Sequence, residues 1–137
     1  MFAPILAAAM LLGPASGPIQ VDVGRADWDK LPPLKAVHRP LPTPDMVGRV
    51  QEMLASGQCI LPRQRAERFD ITIPYAVQVD PDGRARRAVV AEAGCPVLET
   101  YVGRLILAMA DRGDFKPTGD AKTRWFASAL NFNLKTR

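Results

Sequence analysis

The clearest pattern in the chain is the alternation of apolar and polar residues at positions 68–80, RFDITIPYAVQVD. Apolar side chains occupy every second position from Phe69 to Val79. Because successive side chains of a strand point to opposite faces, this pattern predicts one long strand with a single buried face. Pro74 removes one ladder donor, and a bulge at that point is one way to accommodate it.

A hairpin follows this strand directly. Asp80, Pro81, Asp82 and Gly83 predict a tight turn, since Pro81 presets the first turn position and Gly83 supplies the positive φ that a short hairpin loop requires. The residues RARRAVVA then predict a second strand with its arginines facing solvent. A third strand is predicted near the end of the chain, in TRWFASALNFNLKT. There Phe126, Leu130, Phe132 and Leu134 share one face.

Two other stretches carry apolar residues at three- and four-residue spacing, which is typical of amphipathic helices. The first begins with Thr43 as N-cap and Pro44 in the first turn, and it ends near Gly57. The second begins at Pro96 and ends near Gly113.

The predicted element order is therefore α-β-β-α-β. A right-handed crossover from the second strand to the third places the first strand between them. We expect an α+β fold in which two helices pack on one face of a three-stranded antiparallel sheet.

The N-terminal residues suggest export. The run from Phe2 to Leu12 is apolar, too short to span a bilayer, and followed by small residues and prolines. We interpret residues 1–15 as a signal peptide, although no Lys or Arg precedes the apolar run. Residues 16–42 are predicted to be an extended proline-containing segment, and residues 43–137 the folded domain. The expected location is periplasmic or secreted, or anchored in the inner membrane if residues 1–15 are retained.

Export determines how the two cysteines are interpreted. Cys59 follows the first predicted helix and Cys95 precedes the second, so helices on one sheet face bring the two residues together. In an oxidising compartment the simplest prediction is one disulfide. In the cytosol the alternative is two buried thiols.

Charge and composition exclude several functions. The net charge is +4, but the cations are scattered rather than clustered, which argues against nucleic-acid binding. Asp80 and Asp82 are better explained by turn chemistry than as a catalytic carboxylate pair. The single histidine, His38, has no nearby Cys or second His with which to form a metal site. We therefore expect a non-enzyme without a metal or cofactor.

The region from Arg68 to Leu134 contains a strand ending in Asp-x-Asp-Gly, a second strand ending in a glycine turn, a helix opening with Pro and a Leu-acidic pair, a Phe-x-Pro, and a last amphipathic strand. The residues at these positions are Asp80, Asp82, Gly83, Gly94, Pro96, Leu98, Glu99, Phe115 and Pro117. In the order of these motifs the region resembles the C-terminal domain of the TonB family of periplasmic energy transducers. The resemblance implies a TonB-like fold, an envelope protein such as an outer-membrane receptor as partner, and a role in energy-coupled transmembrane transport.

The predicted binding surface is the outer edge of the last strand, where an extended peptide can add as a further strand. The residues assigned to it are Arg124, Trp125, Ala127, Ala129, Asn131 and Asn133. Two alternatives are that the N-terminal segment covers this edge or that a second copy pairs there as a homodimer. The alternative function is an exported structural or envelope-associated protein that uses the fold without TonB receptor partners.

Overall fold

A computed structural model of the protein describes residues 19–36, 42–61, 68–117 and 121–135. The proposed signal peptide and His38 lie outside these ranges. The elements in chain order are β1 (Gln20–Gly24), a 3₁₀ turn (Trp28–Lys30), α1 (Pro44–Ala55), β2 (Arg68–Val79), β3 (Ala85–Ala91), α2 (Pro96–Asp111) and β4 (Arg124–Lys135).

The strands form a four-stranded mixed sheet in the order β1-β3-β2-β4. The α+β class with two helices is confirmed, and β2 lies between β3 and β4, antiparallel to both. The expectation of a three-stranded antiparallel sheet is wrong, because β1 adds to the free edge of β3 in parallel. The five residues of β1 alternate two valines with Gln20 and Asp22, a strand pattern inside the segment that was predicted to be merely extended.

Both helices pack on one face of the sheet. Helix α2 covers β3 and β1, and α1 covers β4. The apolar side chains of the strands point into this layer, with Val77, Val90, Phe132 and Leu134 fully buried. Gly103 of α2 lies so close to β1 that a side chain there would come within 3.2 Å of Val21. Small size at this position therefore allows the close approach of helix and strand.

The chain from β1 to α1 crosses the other face of the sheet. The 3₁₀ turn (Trp28–Lys30) packs against β2 and β4 on the side away from the helices. Ala76 of β2 points to that side and is nevertheless only 1% exposed. An exposed ion pair between Arg25 and Glu92, 3.1 Å apart, lies where the chain leaves β1. The N-terminal segment therefore wraps the sheet from one edge to the other.

The predicted disulfide is confirmed, with Cys59 bonded to Cys95. The bond joins the loop after α1 to the residue that precedes α2, and both cysteines are buried. At the start of α1 the Thr43 side chain accepts a hydrogen bond from the Met46 N–H at 3.4 Å, as expected of an N-cap.

Strand β2 passes through Pro74 without a bulge. The irregularity lies instead near the hairpin, where Gln78 pairs with Arg87 and Val79 pairs with Ala85, so that Arg86 is the extra residue. Pro74 lies opposite Ala129 of β4, and its nitrogen points to the β3 side. The pairing of β2 with β3 begins only at Tyr75, so the N–H that Pro74 lacks is not required there.

Candidate peptide-binding edge

Strand β4 forms one outer edge of the sheet. In an antiparallel pair the backbone groups of successive residues point alternately toward the neighbouring strand and away from it. Ala127 defines the alternation, because its N–H and C=O both bond to residues outside the sheet. The backbone groups of residues 125, 127, 129, 131, 133 and 135 therefore point outward, and those of the intervening residues bond to β2.

The N-terminal segment covers this edge at one place. We call residues 32–34 the strap. The Pro32 carbonyl accepts a bond of 2.9 Å from the Ala127 N–H, and the Leu34 N–H donates one of 2.9 Å to the Ala127 carbonyl. Pro33 forms a parallel bridge with Ala127. The alternative in which the N-terminal segment covers the edge is therefore present, but at a single residue of β4.

A side chain covers the edge at its other end. Gln51 of α1 places its amide against the backbone of Lys135 and imitates a neighbouring strand. Its Oε1 accepts a bond of 3.1 Å from the Lys135 N–H, and its Nε2 donates to the Lys135 carbonyl. We call this pair of bonds the Gln51 clamp. It occupies the last outward-facing residue of β4.

The strap and the clamp leave an open stretch, residues 129–133, which we call the edge window. The outward N–H and C=O groups of Ala129, Asn131 and Asn133 have no hydrogen-bond partner among the described residues. All three residues are exposed, and their side chains point to the sheet face away from the helices. Across the strands, the Thr72 hydroxyl donates a bond of 3.4 Å to the Asn131 side-chain carbonyl. The window thus offers three N–H and three C=O groups in strand geometry.

The other residues assigned to this edge have different surroundings. Arg124 begins the strand and is exposed, whereas Trp125 and Ala127 are half-buried. The backbone of Ala127 is already bonded to the strap, so it is not open to a further strand. Sequence reasoning found the strand and gave cover by the N-terminal segment as an alternative, but it missed the Gln51 clamp. The proline pair in the strap, whose extended conformation suits an edge, is a signal for the first cover, and no pattern in the sequence indicates the second.

The window lies in the thinnest part of the sheet. Strand β2 pairs with β4 along the whole of β4, but it pairs with β3 only from Tyr75 onward. The stretch from Arg68 to Pro74 is therefore a two-stranded ribbon with β4, with α1 packed on β4. Two-stranded ribbons are marginally stable, and a third strand stabilises them.

The hairpin turn at the other end of β2 is organised by Asp80. The residue is 4% exposed, and its carboxylate accepts bonds from the Asp82 N–H, the Arg84 N–H and the Arg86 guanidinium at 3.0, 2.9 and 3.2 Å. Gly83 has a φ of +88°. These bonds give the Asp80 carboxylate a role in holding the turn.

Among the described residues, no three His, Cys, Asp or Glu side chains lie together so as to hold a metal ion. Nor does the part of the chain that the structure describes contain a helix long and apolar enough to cross a membrane. Comparisons with protein-family models, with curated proteins and with solved structures found no match to this chain.

Proposed function

We propose that the protein is a non-enzymatic periplasmic domain of the TonB type that binds an extended peptide segment of a cell-envelope partner by strand addition to β4. An outer-membrane receptor is the partner class that the sequence resemblance favours, with a role in energy-coupled transport. The observation that carries the proposal is the edge window, in which the exposed residues Ala129, Asn131 and Asn133 have outward backbone groups without a partner among the described residues. Such a row of groups is a template for a further strand.

The covers at both ends of the window favour a short peptide over a second copy of this chain. A peptide of about five residues, about 17 Å long, pairs with the whole window. A second copy that used every window group would pair two-fold about Asn131 and place its own Lys135 opposite Ala127. Both positions are occupied, by the Gln51 clamp and by the strap. A homodimer through this edge would have to break these bonds, whereas a short peptide would leave them intact.

The test is an NMR titration of the isotope-labelled protein with short peptides from the periplasmic ends of outer-membrane receptors. We expect shifts concentrated in residues 129–133. Ala129→Pro removes one outward N–H without removing a bond to β2, so the fold should persist while binding weakens by about tenfold. Ala129→Ser keeps the N–H and serves as the matched control, which should bind as the unmodified protein does.

Two results would overturn the proposal. One is the absence of shifts at a peptide concentration of about 1 mM, which is the weakest affinity expected of such an interaction. The other is a set of shifts confined to the opposite side of the sheet, at β1 and β3. Either result would leave the exported structural protein as the better account.

A further inference from the structure

A second surface lies between the two helices, on the side away from the sheet. It is a groove of about 490 Å³, walled by Arg49 and Met53 of α1 and by Pro96, Val97, Tyr101 and Arg104 of α2. The floor is apolar and aromatic, and a guanidinium lies on each wall. Burial raises the pKa of Tyr101, an effect opposed by the Arg49 charge and supported by that of Asp45. The groove shares no lining residue with the edge window.

Two exposed apolar residues lie close in the chain to the disulfide that joins the two helices. Among the described residues, three large apolar side chains are exposed, and two of them are Ile60 at 82% and Val97 at 38%. These two residues follow Cys59 and Cys95 closely in the chain, and the disulfide holds the Cα atoms of the cysteines 5.5 Å apart. Apolar side chains clustered on a surface mark an interaction site more often than scattered ones do.

Neither Arg49 nor Arg104 forms an ion pair with a carboxylate within the described ranges, whereas Arg25, Arg86, Arg87 and Arg112 each do. A guanidinium binds a carboxylate through two parallel hydrogen bonds. Two free guanidinium groups beside an apolar floor therefore complement a ligand that carries both carboxylates and apolar side chains.

We propose that this groove is a second docking site, for an acidic and apolar segment of a partner protein. A peptide fits better than a membrane surface, because electrostatic binding to anionic lipid requires about four to eight clustered basic residues and the groove has two. The segment would lay its apolar side chains on Met53, Val97 and Ile60. Its carboxylates would reach Arg49 and Arg104.

The disulfide fixes the shape of this site. It ties the chain after α1 to the residue before α2, and these two helices supply both walls of the groove. The edge window lies on β4 and does not include residues next to either cysteine. Reduction of the bond is therefore expected to weaken docking in the groove more than binding at the window.

The test uses the isotope-labelled protein and an end-blocked amphipathic peptide of Leu, Ala and Glu. We expect shifts in α1, α2 and Ile60. Affinity should fall by about tenfold in Arg104→Gln, which corresponds to the loss of one charge-assisted contact. Arg84→Gln removes an exposed arginine on the hairpin and is the control matched in charge, for which unchanged affinity is expected. The same peptide with Gln at every Glu position should also bind about tenfold more weakly.

Three outcomes would overturn the inference. They are the absence of groove shifts at about 1 mM peptide, equal weakening in Arg104→Gln and Arg84→Gln, and equal binding of the Glu and Gln peptides. Both variants alter exposed side chains, so thermal unfolding should show them as stable as the unmodified protein. Because the receptor-derived peptides probe residues 129–133 and this peptide probes the helices, failure of one proposal is distinguishable from failure of the other.

Discussion

At the scale of single residues, Gly83 in the turn after β2 is constrained both by its backbone conformation and by close packing. Gly83 has a φ of +88°, and a side chain there would come within 2.9 Å of the Phe115 carbonyl and 3.0 Å of the Pro117 nitrogen. The turn therefore packs closely against the backbone of residues 115–117, which lie more than thirty positions later in the chain. The small size of Gly83 matters as much as its conformational freedom.

Gly57 offers a control that separates these two effects. It has a similar φ of +78°, but no atom of the described residues lies within 4 Å of the position that a Cβ would take. We expect Gly57→Ala to lower the free energy of unfolding by about 1 kcal/mol, from backbone strain alone. Gly83→Ala should lower it by about 2–4 kcal/mol, since contact with the backbone is added. Chemical denaturation measures both changes, and equal losses would show that the contact at Gly83 is unimportant.

Tyr75 is expected to make the free energy of unfolding depend on pH in the alkaline range. Burial raises the pKa of its phenol above the ordinary value of 10.0, an effect partly offset by a hydrogen bond with Ser128. The folded state therefore holds the phenolic proton more tightly than the unfolded chain does. The contribution of Tyr75 to the free energy of unfolding is fully present below pH 10 and is lost as the pH rises from 10 through the folded-state pKa. In Tyr75→Phe, denaturation curves between pH 9.5 and 11 should show a smaller loss with pH; a loss equal to that of the unmodified protein would assign the dependence to other groups.

At the scale of elements, the disulfide is the strongest local constraint on the helices. It closes a loop across 36 positions. The chain-entropy relation gives about 4 kcal/mol for a loop of this size. We expect Cys59→Ala/Cys95→Ala to lower the free energy of unfolding by about 2–5 kcal/mol, as measured by denaturation. Mass spectrometry after alkylation without reductant should find no free thiol in the unmodified protein, and two alkylated cysteines would contradict the bond.

The elements with long periodic patterns were predictable from sequence, and those that depend on distant partners were not. Strand β2 and helix α1 carry their own signals in alternation and in the Thr43 cap. Strand β1 has only five residues, and it is a strand because β3 offers an edge. The Gln51 clamp joins residues 84 positions apart, and a polar residue on a helix gives no sign of such a contact. The candidate edge was therefore predicted as a strand, but the extent of its open part was not.

At the scale of the whole molecule, the N-terminal segment that crosses the sheet covers part of the β4 edge and so limits how much of it is exposed. Leu34→Pro removes the N–H that bonds to the Ala127 carbonyl at 2.9 Å, so the strap should detach and the open edge should extend through Ala127. We expect increased self-association, measured by light scattering after size exclusion, because the longer edge is a better template for pairing. Leu34→Ala keeps the N–H and should associate no more than the unmodified protein. Equal behaviour of the two variants would show that the strap does not limit association.

The parallel pairing of β1 with β3 also affects the order in which the strands of the sheet can assemble. It brings together Arg25 and Glu92, which are 67 positions apart, while the β2–β3 hairpin closes over a few residues. Contacts between distant positions stabilise the chain only after the entropic cost of loop closure has been met, so β1 is expected to join after the β2–β3 hairpin has formed. At synthesis rates of ~5–20 residues per second, the strand that leaves the ribosome first waits several seconds for its partner to emerge. Until then the outer edge of β3 has no neighbour and is a second site at which an extended segment could pair.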